Sequence, residues 1–88
     1  MWPFKTKQPE RDPRLDGVRE LKEFRGLGQT FNYLGRTCIV TGHVYQEWSE
    51  FGLYWRPSLR CDYVDDKGVI RQVSFSPAEL PGLRAQNP

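Results

Sequence analysis

The sequence predicts a mainly β domain, a small antiparallel β-barrel with a short N-terminal helix and a one-turn 3-10 helix near the C-terminus. Three observations point to it. From Thr30 onward, apolar and polar residues alternate in short runs. The tetrapeptide Asp65-Asp66-Lys67-Gly68 separates two of those runs as a tight turn. No helical pattern long enough to connect parallel strands lies between them, so the strands pair antiparallel and the sheet must curl to bury its apolar face. Eighty-eight residues supply one core. Apolar residues make up 38% of the chain and aromatics 14%, so a few large rings must provide much of the buried area.

Residues 1–14 carry Pro3, Pro9 and Pro13 among charged and amide side chains, and read as a flexible, proline-containing basic arm. Over 15–26, Leu15, Val18, Leu21 and Phe24 recur every third position, the signature of a short amphipathic helix with Lys22 and Glu23 outward. Asp16 suits its N-terminal dipole, and Gly26 with Gly28 ends it. The barrel is assigned to 27–83. Thr30 to Leu34 alternates with Phe31 and Tyr33 on one face, Gly35 permits a bend, and Arg36 to Val44 contains a β-branched run. Ser58 to Val64 places Leu59, Cys61 and Tyr63 on a dry face and Arg60 and Asp62 on a wet one. Val69 to Phe75 returns as the second half of a hairpin. Ser76-Pro77-Ala78-Glu79 matches a capping box, and Pro81 is expected to stop the helix after one turn. Residues 84–88 then read as a loose tail, with Leu83 before them as an anchor.

Charge limits the function classes. Residues 1–26 hold seven basic against five acidic residues, and the remaining 62 hold six of each, so the net +2 lies in the N-terminal segment. A neutral body lacks the basic stripe that phosphate binding uses, which leaves Lys5, Lys7, Arg11 and Arg14 as a candidate nucleic-acid arm. Cys38 and Cys61, with one histidine and no CxxC, cannot build a four-ligand zinc site. They read as buried reduced thiols, with a disulfide between neighbouring strands as the alternative. His43 reads as a structural residue at a strand end, and Asp65 with Asp66 as turn chemistry. No nucleophile is spaced for a triad and no phosphate loop is present, so neither enzymatic activity nor a cofactor or metal site is expected. No run approaches the roughly 18 apolar residues of a membrane span, and the N-terminus lacks an apolar signal region, which predicts a cytoplasmic protein.

The densest signal is Tyr45 to Trp55. Tyr45, Trp48, Phe51, Tyr54 and Trp55 place five rings in eleven residues, interleaved with Glu47 and Glu50. Read as a surface loop, this has the composition of a recognition face: rings give contact area at low entropic cost, and carboxylates attract basic partners. The other reading folds the rings back as a lid on an open barrel end, with core demand explaining about two of them.

In arrangement, residues 28 to 83 resemble SH3 domains, whose long acidic and aromatic loop reads proline-rich ligands in the polyproline conformation. That resemblance implies an SH3-like barrel and a peptide partner. The family's ALYDY-type opening and paired tryptophans are absent, and Leu53-Tyr54-Trp55-Arg56-Pro57 does not replace them. An OB-type barrel is the structural alternative. The runs Leu34-Gly35-Arg36, Val40-Thr41-Gly42-His43, Cys61-Asp62-Tyr63-Val64-Asp65 and Glu79-Leu80-Pro81 also resemble small uncharacterised proteins of bacteria and their prophages, a likeness that implies no activity.

The sequence therefore predicts a non-enzymatic protein-binding module acting through Tyr45, Glu47, Trp48, Glu50, Phe51, Tyr54 and Trp55. The alternatives are a nucleic-acid-binding barrel using the basic arm and stacked rings, and a phage-encoded inhibitor of a host protein. Two weaker variants are the arm, with its stretch Pro9-Glu10-Arg11-Asp12-Pro13, lying across the aromatic face of its own or a neighbouring chain, and Trp2 and Phe4 with Lys5 and Lys7 touching an anionic membrane surface.

Overall fold

The computed structural model describes residues 13–88. The elements are α1 (Pro13–Phe24), β1 (Thr30–Tyr33), β2 (Arg36–Ser49), β3 (Gly52–Val64), β4 (Ile70–Phe75), a 3-10 turn (Pro77–Glu79) and α2 (Leu80–Gln86). The fold is mainly β, as the alternation predicts. Four antiparallel strands in the order β1-β2-β3-β4 form a half-barrel, with a short helix before it and a 3-10 turn after β4.

The two helices supply the covering that a fifth strand would provide in a closed barrel. Leu21 and Phe24 of α1 and Leu80 and Leu83 of α2 share one core with Phe31, Cys38, Val40, Leu59, Cys61 and Phe75 of the strands, and Val18 of α1 is buried as well. Burying each of the large aliphatic and aromatic side chains is worth roughly 1.5–3 kcal/mol, which is how a twelve-residue helix too short to persist alone is held. The core rings meet edge to face, Phe24 to Phe31 at 5.2 Å, Phe31 to Phe75 at 5.8 Å and Tyr33 to Phe75 at 4.8 Å between centroids. The spacing read for α1 holds at Val18, Leu21 and Phe24, while Leu15 remains 49% exposed. At Gly17 the helix passes close to two prolines: a Cβ there would stand 2.9 Å from Cγ of Pro77 and 3.1 Å from Cγ of Pro57.

The turns follow local chemistry. Leu34 and Gly35 both have positive φ, at 50° and 80°, the requirement of a two-residue type I′ turn joining Tyr33 to Arg36. Between β3 and β4, Asp65 Oδ1 accepts the N–H groups of Lys67 and Val69, each at 2.9 Å, and the Gly68 N–H donates to the Asp65 carbonyl at 3.0 Å. In the capping box, the Ser76 N–H donates to Glu79 Oε2 at 2.7 Å.

Several expectations need correction. Pro13 and Arg14, assigned to the arm, belong to α1, while residues 1–12, with Lys5, Lys7 and Arg11, lie outside the described residues. Pro81 does not stop the C-terminal helix. It sits in the first turn of α2, where a missing N–H breaks no helical bond and the ring's fixed φ favours entry. The segment 84–88 is therefore no loose tail: α2 runs to Gln86, and Asn87 is bonded to β1.

The largest departure lies between Tyr45 and Trp55. This segment is not a loop, because β2 continues to Ser49 and β3 starts at Gly52. Tyr and Trp suit a pleated ribbon, and a two-residue turn at Glu50 and Phe51 is enough to reverse it. The reading as a loop mistook β-forming rings interleaved with polar residues for loop composition.

Candidate functional site

The β2–β3 ribbon outruns the rest of the sheet. β1 pairs with β2 only over Arg36 to Ile39, and β4 pairs with β3 only over Leu59 to Val64. The last core residues on the two strands are Val40 and Leu59. From Val40 to Ser49 is nine residue steps, or about 30 Å of strand, carrying no core side chain.

Two register shifts shape this ribbon. Between Val40 and Gly42 the extra residue is Thr41, whose Oγ1 donates to the Arg60 carbonyl at 3.3 Å. Between Val44 and Gln46 the single residue Tyr45 faces Arg56 and Pro57, so Pro57, which has no N–H to give, occupies an irregularity in the ladder. Tyr45 at this irregularity stacks on Trp55 across the ribbon, with ring centroids 6.2 Å apart and planes 15° from parallel.

Helix α1 stands beside this stacked pair and leaves a groove of about 600 Å³. Leu15, Val18, Arg19, Lys22 and Glu23 line it from the helix, and Tyr45, Gln46 and Trp55 from the ribbon. Lys22, read as an outward residue, places its Nζ 5.4 Å from the centre of the Tyr45 ring. The helix face carrying Leu15, Arg19 and Lys22 is thus the part of the site that sequence reasoning missed. The signal was the exposed first member of the apolar row, Leu15, which the core does not use.

At the far end, Trp48 pairs with Leu53, Glu47 with Tyr54 and Ser49 with Gly52. Ser49 Oγ closes the tip by accepting the Phe51 N–H at 3.1 Å and donating to the Gly52 carbonyl at 3.4 Å. Trp48 is 78% exposed and Phe51 80%, with Tyr54 and Leu53 also exposed and Trp55 half-buried. Arg56 Nη1 meets Glu47 Oε2 at 3.2 Å, and Glu50 is exposed in the turn. All seven residues singled out in the sequence therefore lie on one ribbon, and five of them, Glu47, Trp48, Phe51, Tyr54 and Trp55, line one concavity at its outer end with Ser49 and Arg56. Trp55 also stacks on Tyr45 at the root against α1, so it links the groove there to the ribbon's tip, where Trp48, Glu50 and Phe51 lie. None of its five rings belongs to the core.

Elsewhere, side chains with chemical potential are tied into structure. His43 Nε2 donates to the Arg25 carbonyl at 2.9 Å, fastening the ribbon to the end of α1. Cys38 and Cys61 are free and buried, and burial raises both thiol pKa values, that of Cys61 to about 12, with the neighbouring Cys38 and Asp62 adding to it. Asp65 is held below the usual carboxylate range, first by the hydrogen bond from Arg71 at 2.8 Å and then by that from the Val69 N–H. Among the described residues no three His, Cys, Asp or Glu side chains converge to hold a metal ion, and no helix is long and apolar enough to cross a membrane. No protein-family model, no curated protein and no solved structure matches this chain.

Proposed function

We propose that this protein is a non-enzymatic binding module that engages another protein through its β2–β3 ribbon. One observation carries the reading: Trp48 and Phe51 stand 78% and 80% exposed at the end of a ribbon that carries no core side chain beyond Val40 and Leu59. A two-stranded ribbon is marginal in water by itself, and large rings held in solvent forgo roughly 1.5–3 kcal/mol each that burial would return. A partner surface recovers that free energy. Aromatic anchors surrounded by polar residues are also the usual centre of a protein interface. The ribbon sets Glu47 and Glu50 against Arg56 alone, a balance that gives phosphate backbones no cationic track and so favours a protein partner over nucleic acid.

The test uses the full chain and its Trp48→Ala/Phe51→Ala variant as paired baits in one extract. Proteins retained by the parent and lost with the variant are expected, while the unfolding midpoint moves by less than about 0.5 kcal/mol because both positions are solvent-facing. Equal retention by both baits, or collapse of the variant's fold, would reject the reading.

A further inference from the structure

We propose that the partner of this ribbon is a second copy of the chain: each copy's tip, Trp48 and Phe51 flanked by Glu47 and Glu50, seats in the other's groove between Arg19 and Lys22 of α1 and the Tyr45–Trp55 pair. The inference rests on the reading of the ribbon as a protein-binding element and names what it binds.

Three features make tip and groove counterparts. The first is chemical. The groove offers an apolar floor and wall in Leu15, Val18, Tyr45 and Trp55, and two cations, Arg19 and Lys22, against the single acid Glu23. The tip offers two exposed rings and two carboxylates, of which only Glu47 is engaged by a described cation. Apolar surface thus meets apolar surface, and opposite charges face each other at the rim, where they steer and orient docking.

The second is geometric. Root and tip lie on one ribbon, separated by the five residue steps from Tyr45 to Glu50, or about 17 Å. A two-fold axis beside the ribbon's face, at its mid-length, would lay two copies antiparallel, and each tip would then arrive at the other's root. Both contacts form together, so the interface is self-complementary and closes at the dimer without leaving a free tip to recruit a third copy.

The third is size. A stable interface covers about 800 Å² per partner. Rings bury about 150–250 Å² when fully covered, so Trp48 and Phe51, 78% and 80% exposed, leave about 300 Å² per copy to be covered, and the partly exposed Tyr45, Leu15 and Leu53 add to it toward that size.

The first test is charge exchange. Glu47→Lys/Glu50→Lys reverses the tip, and Arg19→Glu/Lys22→Glu reverses the groove; all four residues are exposed, so folding is retained. In sedimentation equilibrium the parent is expected to form a species of twice the 10.3 kDa chain mass, with an affinity that falls as salt rises. Each variant alone should dimerise at least about tenfold more weakly. Their equimolar mixture should recover the dimer, since both contacts are then opposite in sign. A parent that stays monomeric up to about 200 μM, or a groove variant that dimerises like the parent, overturns the proposal.

The second test separates this proposal from the broader reading. A photo-crosslinking phenylalanine analogue at position 51 of the full chain, activated in cell extract, should give an adduct of two copies joined between the tip and α1. An adduct within one chain, reaching residues 1–12, overturns the second copy in favour of the chain's own arm. An adduct with a different protein overturns the second copy and leaves the ribbon a protein-binding element. No adduct removes both.

Discussion

The side-chain amide of Asn87 pairs with the backbone of Asn32 as a neighbouring strand would, its Oδ1 accepting the Asn32 N–H at 2.7 Å and its Nδ2 donating to the Asn32 carbonyl at 2.9 Å. Gln86 Oε1 continues the pairing by accepting the Leu34 N–H at 2.7 Å, and Asn87 Nδ2 also holds the Leu83 carbonyl at 2.7 Å. The end of α2 thus occupies the outer edge of β1, where free N–H and C=O groups would otherwise invite another chain. Asn87→Ala is expected to cost about 1–2 kcal/mol, the sum of two or three exposed hydrogen bonds, read as a lower urea midpoint. Amide exchange at Asn32 should accelerate with it. An unchanged exchange rate at Asn32 would show that the edge is not protected in this way.

Gly17 lies in α1, where alanine would ordinarily gain about 1 kcal/mol of helix propensity. Here the added methyl would stand 2.9 Å from the stiff ring of Pro77 and 3.1 Å from that of Pro57. Gly17→Ala is therefore expected to lower stability by about 1–3 kcal/mol, the usual range for overpacking. Gly17→Ala combined with Pro77→Ala should recover part of that loss, because the nearest ring atom is gone. A stabilised Gly17→Ala protein would mean that α1 does not approach the prolines so closely.

Leu34 holds φ at +50°, a left-handed conformation that a branched side chain disfavours, while 71% exposed. Its only described hydrogen-bonding role is its backbone N–H to Gln86. Leu34→Asn keeps that donor and suits the turn, so it should stabilise the protein by about 1 kcal/mol in thermal or urea unfolding. A destabilised variant would show that the leucine side chain contributes packing after all.

Two groups set opposite pH limits. The Cys61 thiol, with its pKa pushed up to about 12 by burial, releases its proton more readily in the unfolded chain. Its contribution is complete below pH about 8.5 and is lost as pH climbs toward 12. The native thiol should resist alkylation at pH 8 and react on unfolding. The Asp65 carboxyl is held low, mainly by Arg71, so its contribution is present above the ordinary carboxylate range and disappears as pH falls through its native value. Asp65→Asn should flatten the acid limb of the stability profile. An unaltered limb in that variant would remove Asp65 as its source.

Patterns that repeat within a few residues were legible in the chain alone. Val18, Leu21 and Phe24, the alternation around Cys61, the Asp65–Gly68 turn and the Ser76–Glu79 box are each governed by contacts between near neighbours, and each stands as read. The dense rings of residues 45–55 were visible as a candidate site on the same basis. What composition concealed was that those rings lie on strands, since Tyr, Trp and Phe between polar residues serve a loop and a ribbon equally well.

The amino-acid order by itself determined an antiparallel sheet, the turns that join its strands and the helix that packs on it, because those depend on periodicity and on backbone preferences of single residues. Only the tertiary structure decided that Pro81 begins a helix, that Asn87 seals the edge at Asn32, 55 residues away, and that Leu15 and Lys22 stand against Tyr45 and Trp55. Each of these depends on two distant segments meeting, and the free energy of such a meeting belongs to the pair rather than to either segment's local pattern.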